Sequence, residues 1–489
     1  MLFNSYVFLL FFLPFTWCIY YILNHFKWYR TAQGALVAAS FLFYGYEDYH
    51  LCFVLLGTIL VNYLFHYLFL ERIKSGWQRK CLLVLGICAN FGLLFYFKYF
   101  NFLLENLNRF AGGNFTMKNI VMPLGISFFT FQQVSFVVDS FKGDVKHVNF
   151  WDYALFVSFF PQLVAGPIVL HSEMIPQFKD LSKKKIHYDN LIAGLEYLII
   201  GFAKKVLIAD QFARICDAGY AALAELNSIS AILVMLAFTL QIYFDFSGYC
   251  DMAIGLGKLF NIEIPLNFDS PYRSVTIAEF WKRWHMTLTR FLTAYLYIPL
   301  GGNRKGRVHT YINVMIVFIL SGLWHGAQWT FVLWGMLHGI MMVLYRAGKK
   351  VWDRLPKCFL WLCTFLFVNA AWTFFRADYF RQPFRLFERM LWGGSGLCTE
   401  SMVNAFCEGS VWMTLLGAFL SPEWLPVAGQ IALIIWFVIW TAGCVYLPSS
   451  HEMVKRQNRS MAYFIYLGIL LAWSFMWLSQ VSKFIYFNF

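Results

Sequence analysis

Charge is scarce in this chain. Only 13% of its 489 residues are Asp, Glu, Lys or Arg, against about 25% in a soluble domain. Acids are the scarcer sign, 26 against 39 basic residues. The 11 cysteines show no metal-ligand spacing, so no metal site is expected. No Gly-x-Ser-x-Gly elbow and no P-loop occur, which argues against covalent serine chemistry and nucleotide hydrolysis. Apolar–polar alternation never persists long enough for a membrane barrel. There is no internal repeat of the kind that marks many transporters.

What is present is apolar: 60% of the residues are hydrophobic and 21% aromatic. The expected fold is all-α, a polytopic membrane protein with roughly 11 to 14 membrane helices, some re-entrant or broken. Predicted spans lie near 6–23, 31–46, 49–70, 81–100, 150–169, 189–208, 228–245, 311–345 (a broken pair), 358–375, 428–447 and 460–480. Segments 121–141, 247–260 and 284–300 are ambiguous. Tyr6–Leu23 reads as a first span because no basic region precedes it and no small-residue cleavage site follows. One integral domain over 1–489 is expected, with N-terminal helices over 1–119, a core over about 120–378 and C-terminal helices over 379–489.

The net charge of +13 is not a nucleic-acid signal. It comes from short loops such as Arg72–Lys80, Lys179–Lys185 and Arg304–Arg307, as the positive-inside rule predicts for a cytoplasmic face. Glu47-Asp48 then lies outside, and with it the N-terminus, in a cell (inner) membrane. Cys18, Cys52, Cys81, Cys88, Cys363 and Cys444 read as small buried hydrophobes. Cys398 and Cys407, in a polar loop, are a weak candidate disulfide.

Among the 11 histidines, His25, His50, His147, His171, His187, His309 and His451 fall in loops or at span ends and read as solvated. His66 and His338 lie in apolar helices and suit structural hydrogen bonds. His325 stands apart. Ser321-Gly-Leu-Trp-His-Gly-Ala327 interrupts the apolar stretch from Val308 to Tyr345, and Val308–Leu320 alone is too short to cross a bilayer. A titratable side chain at such a break is a functional candidate. His285 lies on an expected helix over Thr276–Leu300, started by a Thr276/Glu279 capping box. There it shares a face with Trp281, Leu288 and Leu292, opposite Glu279, Lys282, Arg283, Met286 and Arg290. Neutral histidine suits general-base work on an alcohol attacking an acyl carbonyl.

Two further segments carry unusual polarity. Met122–Lys142 mixes Gln132, Gln133 and Asp139 among aromatics and reads as a buried or re-entrant helix. Gln241–Asp251 packs Asp245, Ser247 and Asp251 into one short run. It is either a supporting part of the site or a network that fixes helix packing.

Taken together, several motifs resemble the membrane-bound O-acyltransferase family, in its bacterial polysaccharide O-acetylation branch. They are Met122-Pro-Leu-Gly-Ile-Ser-Phe-Phe-Thr-Phe-Gln132, Phe160-Pro-Gln-Leu-Val-Ala-Gly-Pro-Ile168, Tyr243–Gly255, Phe280-Trp-Lys-Arg-Trp-His-Met-Thr-Leu288 and Ile298-Pro-Leu-Gly-Gly-Asn303. Ser321–Gly326, Trp334-Gly335, His338-Gly339, Phe374–Ala377 and Phe484–Phe489 complete the set. The resemblance implies that His325 is catalytic and His285 the second functional histidine, in a helical core around a tunnel. Trp324, Arg283, Trp281, Gln241, Asp245, Ser247, Asp251 and Asn303 are the supporting or substrate-binding candidates. It also implies an acyl thioester donor, acetyl-CoA or an acyl carrier, with no tightly bound cofactor. The acceptor is a polysaccharide or an extracytoplasmic acetyltransferase, and lipid is the other partner. Cys250 departs from the pattern, where serine is expected. The alternatives are D-alanyl transfer from a carrier protein to teichoic acid, a lipid or glycan transporter, and a membrane scaffold.

Overall fold

The computed structural model describes residues 1–73, 75–408, 424–478 and 484–485. The ends of the predicted 460–480 segment and of the Phe484–Phe489 motif lie outside these. Among the described residues every regular element is helical, as composition requires: in hydrocarbon, a helix satisfies its own backbone polar groups. Among the described residues, eight helices are long and apolar enough to cross a membrane. The predicted segments 228–245 and 247–260 are one helix, Ser228–Leu259. The predicted span 150–169 is instead two short helices, Phe150–Ser158 and Phe160–Leu163, because Pro161 cannot continue the first.

The chain forms two compact units. The first comprises Met1–Ile199 with Cys250–Leu266. Its helices include α1 (Leu13–His25), α2 (Tyr29–Gly45), α3 (His50–Tyr67), α4 (Gly76–Leu94) and α5 (Ile126–Lys142). α5 is the buried helix expected of the 122–142 segment, with Gln132 and Gln133 almost wholly covered. Gln133 meets partners on neighbouring helices. Asn62 and Asn90 donate to each other's amide oxygens at 3.0 and 2.6 Å. Asn62 also donates to Gln133, which donates to Thr58 Oγ1 at 3.0 Å. Such a network ties α3, α4 and α5 together where an unmatched amide would be costly.

Gly125, at φ +73°, explains why two sequence motifs belong together. A Cβ there would lie 2.6 Å from the Leu163 carbonyl oxygen. The Pro-Leu-Gly turn therefore packs directly on the Phe160–Ile168 backbone, and only glycine fits. His66 makes the expected structural bond, Nδ1 to Ser140 Oγ at 2.8 Å. His171, read as solvated, is instead buried 3.6 Å from Asp139. Leu170 and Glu173 start the helix His171–Lys179 and turn that side chain inward. Cys18, Cys81 and Cys88 are exposed, not buried, because they lie on outward faces of apolar helices. Cys398 and Cys407 are not joined by a disulfide.

The second unit comprises Ile200–Tyr249 with Asn267–Asn488. It contains most of α6 (Ser228–Leu259), then α7 (Ile277–Arg283), α8 (Met286–Leu292), α9 (Arg307–His325), α10 (Trp329–Ala347), α11 (Lys357–Arg376), α12 (Leu425–Tyr446) and α13 (Met461–Met476). Two expectations are corrected here. The apolar break falls after His325, at Gly326–Gln328, so α9 runs 19 residues and is long enough to span. Gly322 stays helical, and its role is close packing. A Cβ on Gly322 would sit 2.2 Å from the Phe331 carbonyl oxygen, and one on Gly335 would sit 2.3 Å from that of Phe318. α9 and α10 thus meet backbone to backbone, as small residues allow between membrane helices.

The second correction concerns the helix expected over Thr276–Leu300, which is broken at Trp284–His285 into α7 and α8. Thr276 does cap α7, accepting from Glu279 N at 3.2 Å. Glu279, however, reaches the Val275 N–H, not that of Thr276, at 3.0 Å.

Gly335→Leu is expected to destabilise the protein by about 1–3 kcal/mol or more, because backbone faces the new side chain and cannot rotate away. Gly57→Leu, where a Cβ meets nothing within 4 Å, should be nearly neutral. Thermal melting of both variants in the same detergent checks this.

Candidate active site

His285 owes its position to the break. It lies in the left-handed region at φ 45°, ψ 51°, a conformation that costs a non-glycine residue about 1–3 kcal/mol. Asn267 holds it there. Its Oδ1 accepts from Thr287 N at 3.2 Å and Thr287 Oγ1 at 2.9 Å, and its backbone oxygen accepts from Met286 N at 3.0 Å. The same Oδ1 lies 3.1 Å from His285 Nδ1. An oxygen already accepting from a backbone N–H is fixed as an acceptor, so Nδ1 is the protonated nitrogen and Nε2 carries the basic lone pair. The side chain is fully buried, with Phe246 edge-on at 4.9 Å. Burial, and secondarily the neighbouring His325 imidazole, hold His285 well below the usual imidazole range. It is therefore neutral at physiological pH.

His325 closes the last turn of α9. Its Nδ1 donates to the Ser321 carbonyl at 2.6 Å, which again leaves Nε2 as the basic atom. The ring is buried at 2% exposure in an aromatic box. Trp324, Trp334 and Phe375 lie 4.9, 5.1 and 5.3 Å away, centroid to centroid. The two imidazole centroids are 6.3 Å apart. Two buried histidines on different elements, each with its tautomer set by an uncharged acceptor, thus converge on one locus.

The other candidates divide by position. Trp324 touches both rings, 6.1 Å from His285. Trp281 lies behind the box and donates to His338 Nδ1 at 3.3 Å, which makes His338 a structural histidine as expected. Arg283 pairs with Glu279 at 3.1 Å and Asp269 at 3.3 Å. Gln241 and Ser247 lie on α6, where Ser247 is buried. Asn303 is exposed in the turn before α9. Asp251 falls in the first unit.

Asp245 belongs to a separate buried ion cluster. Lys205 Nζ lies 2.5 Å from Asp245 Oδ1 and 2.8 Å from Asp210 Oδ1, with all three side chains almost fully covered. Asp245 Oδ2 also accepts from Ile485 N at 2.9 Å, and Lys205 Nζ sits 4.6 Å from the Phe484 ring centre. Asn267, the residue that orients His285, was missed by the sequence reading. It sits in an irregular run with no periodicity, and its only cue is the polar side chain between Leu266 and Phe268.

Lys205→Met is expected to cost about 3–5 kcal/mol, since two carboxylates then share a buried site without their cation. Lys205→Met combined with Asp245→Asn should recover part of that loss. Melting temperatures of the single and double variants check this.

With this geometry in place, comparison with known proteins is informative. A family profile described as MBOAT, membrane-bound O-acyltransferase family, matches residues 65–380. The peptidoglycan O-acetyltransferase of Helicobacter pylori is 38% identical over all of this chain and 98% of its own length. A probable alginate O-acetylase of Pseudomonas aeruginosa is 37% identical over 82% of this chain and 76% of its own. The teichoic acid D-alanyltransferase of Bacillus subtilis is 27% identical over 48% of this chain and 62% of its own. The chain is a multi-pass membrane acyltransferase and belongs to the membrane-bound O-acyltransferase family.

Proposed function

We propose that this enzyme is an O-acetyltransferase acting on a cell-surface polysaccharide, with His325 as general base and His285 as the group that orients or polarises the acyl carbonyl. The observation that carries the mechanism is the converging pair of buried imidazoles, each with its Nδ1 proton committed to an uncharged acceptor. The acetyl reading is supported by similarity along the whole chain to a peptidoglycan O-acetyltransferase. The D-alanyl reading has similarity over about half of the chain.

In the proposed step, an acceptor hydroxyl oxygen attacks the carbonyl carbon of an acetyl thioester, acetyl-CoA or an acyl carrier. His325 Nε2 takes the hydroxyl proton as the C–O bond forms. The tetrahedral intermediate collapses with cleavage of the C–S bond, and the imidazolium returns its proton to the thiolate. The donor enters from the cytoplasm and the acetyl group leaves on the outer face, on a glycan or an extracytoplasmic transferase. The protein lies in the cell membrane with its N-terminus outside.

Purified protein in nanodiscs, given radiolabelled acetyl-CoA and an acceptor glycan, tests this reading. His325→Ala at matched folding is expected to lower transfer by about 10²–10⁴-fold. Full activity in that variant would exclude His325 as the base. Transfer only from a carrier-bound D-alanyl thioester would favour the second reading.

Asn267→Asp makes a sharper prediction. It keeps the acceptor oxygen but adds a negative charge beside His285, which favours the imidazolium and raises its pKa. A neutral His285 then exists only at higher pH. The acidic limb of the pH–rate profile should move upward, with activity recovering as pH rises. An unmoved profile would show that the charge state of His285 does not matter to transfer.

A further inference from the structure

Away from both histidines, the second unit contains a cavity of about 290 Å3. α12, α13, the Ile200–Ile208 stretch and Tyr243–Phe244 of α6 surround it. Its walls are apolar side chains such as Ile208, Phe244, Leu447 and Leu470, and Lys204 is the one charged residue among the described residues that line it. Lys204 Nζ donates to Ser450 Oγ at 2.5 Å, in the turn that follows α12. Arg273 fixes the same turn by donating to the carbonyls of Val445, at 2.8 Å, and Leu447. The indole N–H of Trp440, another lining residue, is buried with no acceptor among the described residues.

These features specify an amphiphile. Apolar walls among membrane helices suit a hydrocarbon chain, which leaves the bilayer without meeting water. Among the described residues the lining holds one cation and no acid, which suits an anionic head. A buried indole N–H calls for an acceptor such as an ester carbonyl. We propose that this cavity binds one acyl chain of an anionic glycerophospholipid, with the lipid phosphate beside Lys204. The site is distinct from the two histidines and does not depend on which glycan receives the acetyl group.

The test is native mass spectrometry of the full chain in detergent, supplied with phosphatidylglycerol, phosphatidylcholine or inorganic phosphate. Wild type is expected to retain one phosphatidylglycerol and about tenfold less phosphatidylcholine. Met453→Trp, which fills the cavity, and Lys204→Gln, which keeps a donor for Ser450 but removes the charge, should each cut retention about tenfold. Gly443→Leu fills the cavity from α12 and replaces Met453→Trp if that variant fails to fold. Equal retention by wild type and a folded cavity-filled variant would overturn the proposal. So would equal retention of the two lipids, or displacement of phosphatidylglycerol by inorganic phosphate at equal concentration.

Discussion

The constraint on which this structure depends is the expense of a polar group out of water. In a chain this apolar, buried titratable and amide side chains are costly, and those at the histidines and the ion cluster are matched by fixed partners. The match dictates where helices break and where they touch. His285 shows this most directly. Its backbone is held in a strained left-handed conformation, and Asn267 offsets that strain by collecting the Thr287 donors, the His285 ring nitrogen and the Met286 N–H. The helix is given up at Trp284–His285 because a straight helix would carry the ring away from this acceptor. Local strain and the fixed orientation of a buried imidazole are here the same feature.

The protein treats charge differently at the histidines and at the ion cluster. Lys205, Asp210 and Asp245 are paired ions, held by close contacts and by the Ile485 N–H. The histidines are oriented instead by a carbonyl and an amide oxygen. An uncharged acceptor fixes the tautomer without adding a counter-charge for an imidazolium, and it leaves the lone pair on Nε2. The cluster sets structure, whereas the histidine pair preserves a proton acceptor.

Much of this was legible in the sequence. Helical class followed from composition, since no other backbone arrangement satisfies itself across apolar runs of this length. That an apolar run breaks close to His325 was legible, and so was the buried helix after Gly125, from its mixture of glutamines and phenylalanines. The break at His285 was not legible. The Trp281–Leu292 residues keep helical periodicity on both sides of it, and periodicity does not register a single residue with positive φ. Asn267 was hidden for a related reason: its partners lie in a different element, and an irregular segment carries no pattern to mark it. The glycines of α9 and α10 were visible in the sequence, but their role was not. Glycine marks both helix release and close approach, and only the Phe318 and Phe331 carbonyls facing them decide between the two.

The choice of uncharged partners bears on which reaction such a pair suits. A carboxylate behind an imidazole strengthens it as a base and stabilises the imidazolium, which helps when the leaving group is a poor one. A thioester needs less. Its thiol leaving group has a pKa of about 8.5, so collapse of the tetrahedral intermediate proceeds without strong acid assistance. The demand on the protein shifts to positioning the acceptor oxygen and removing one proton. A buried imidazole in an aromatic box, with a second buried imidazole beside it, meets that demand without adding a carboxylate to the apolar interior. The same arrangement serves poorly for amide hydrolysis, where the departing nitrogen has to be protonated as it leaves.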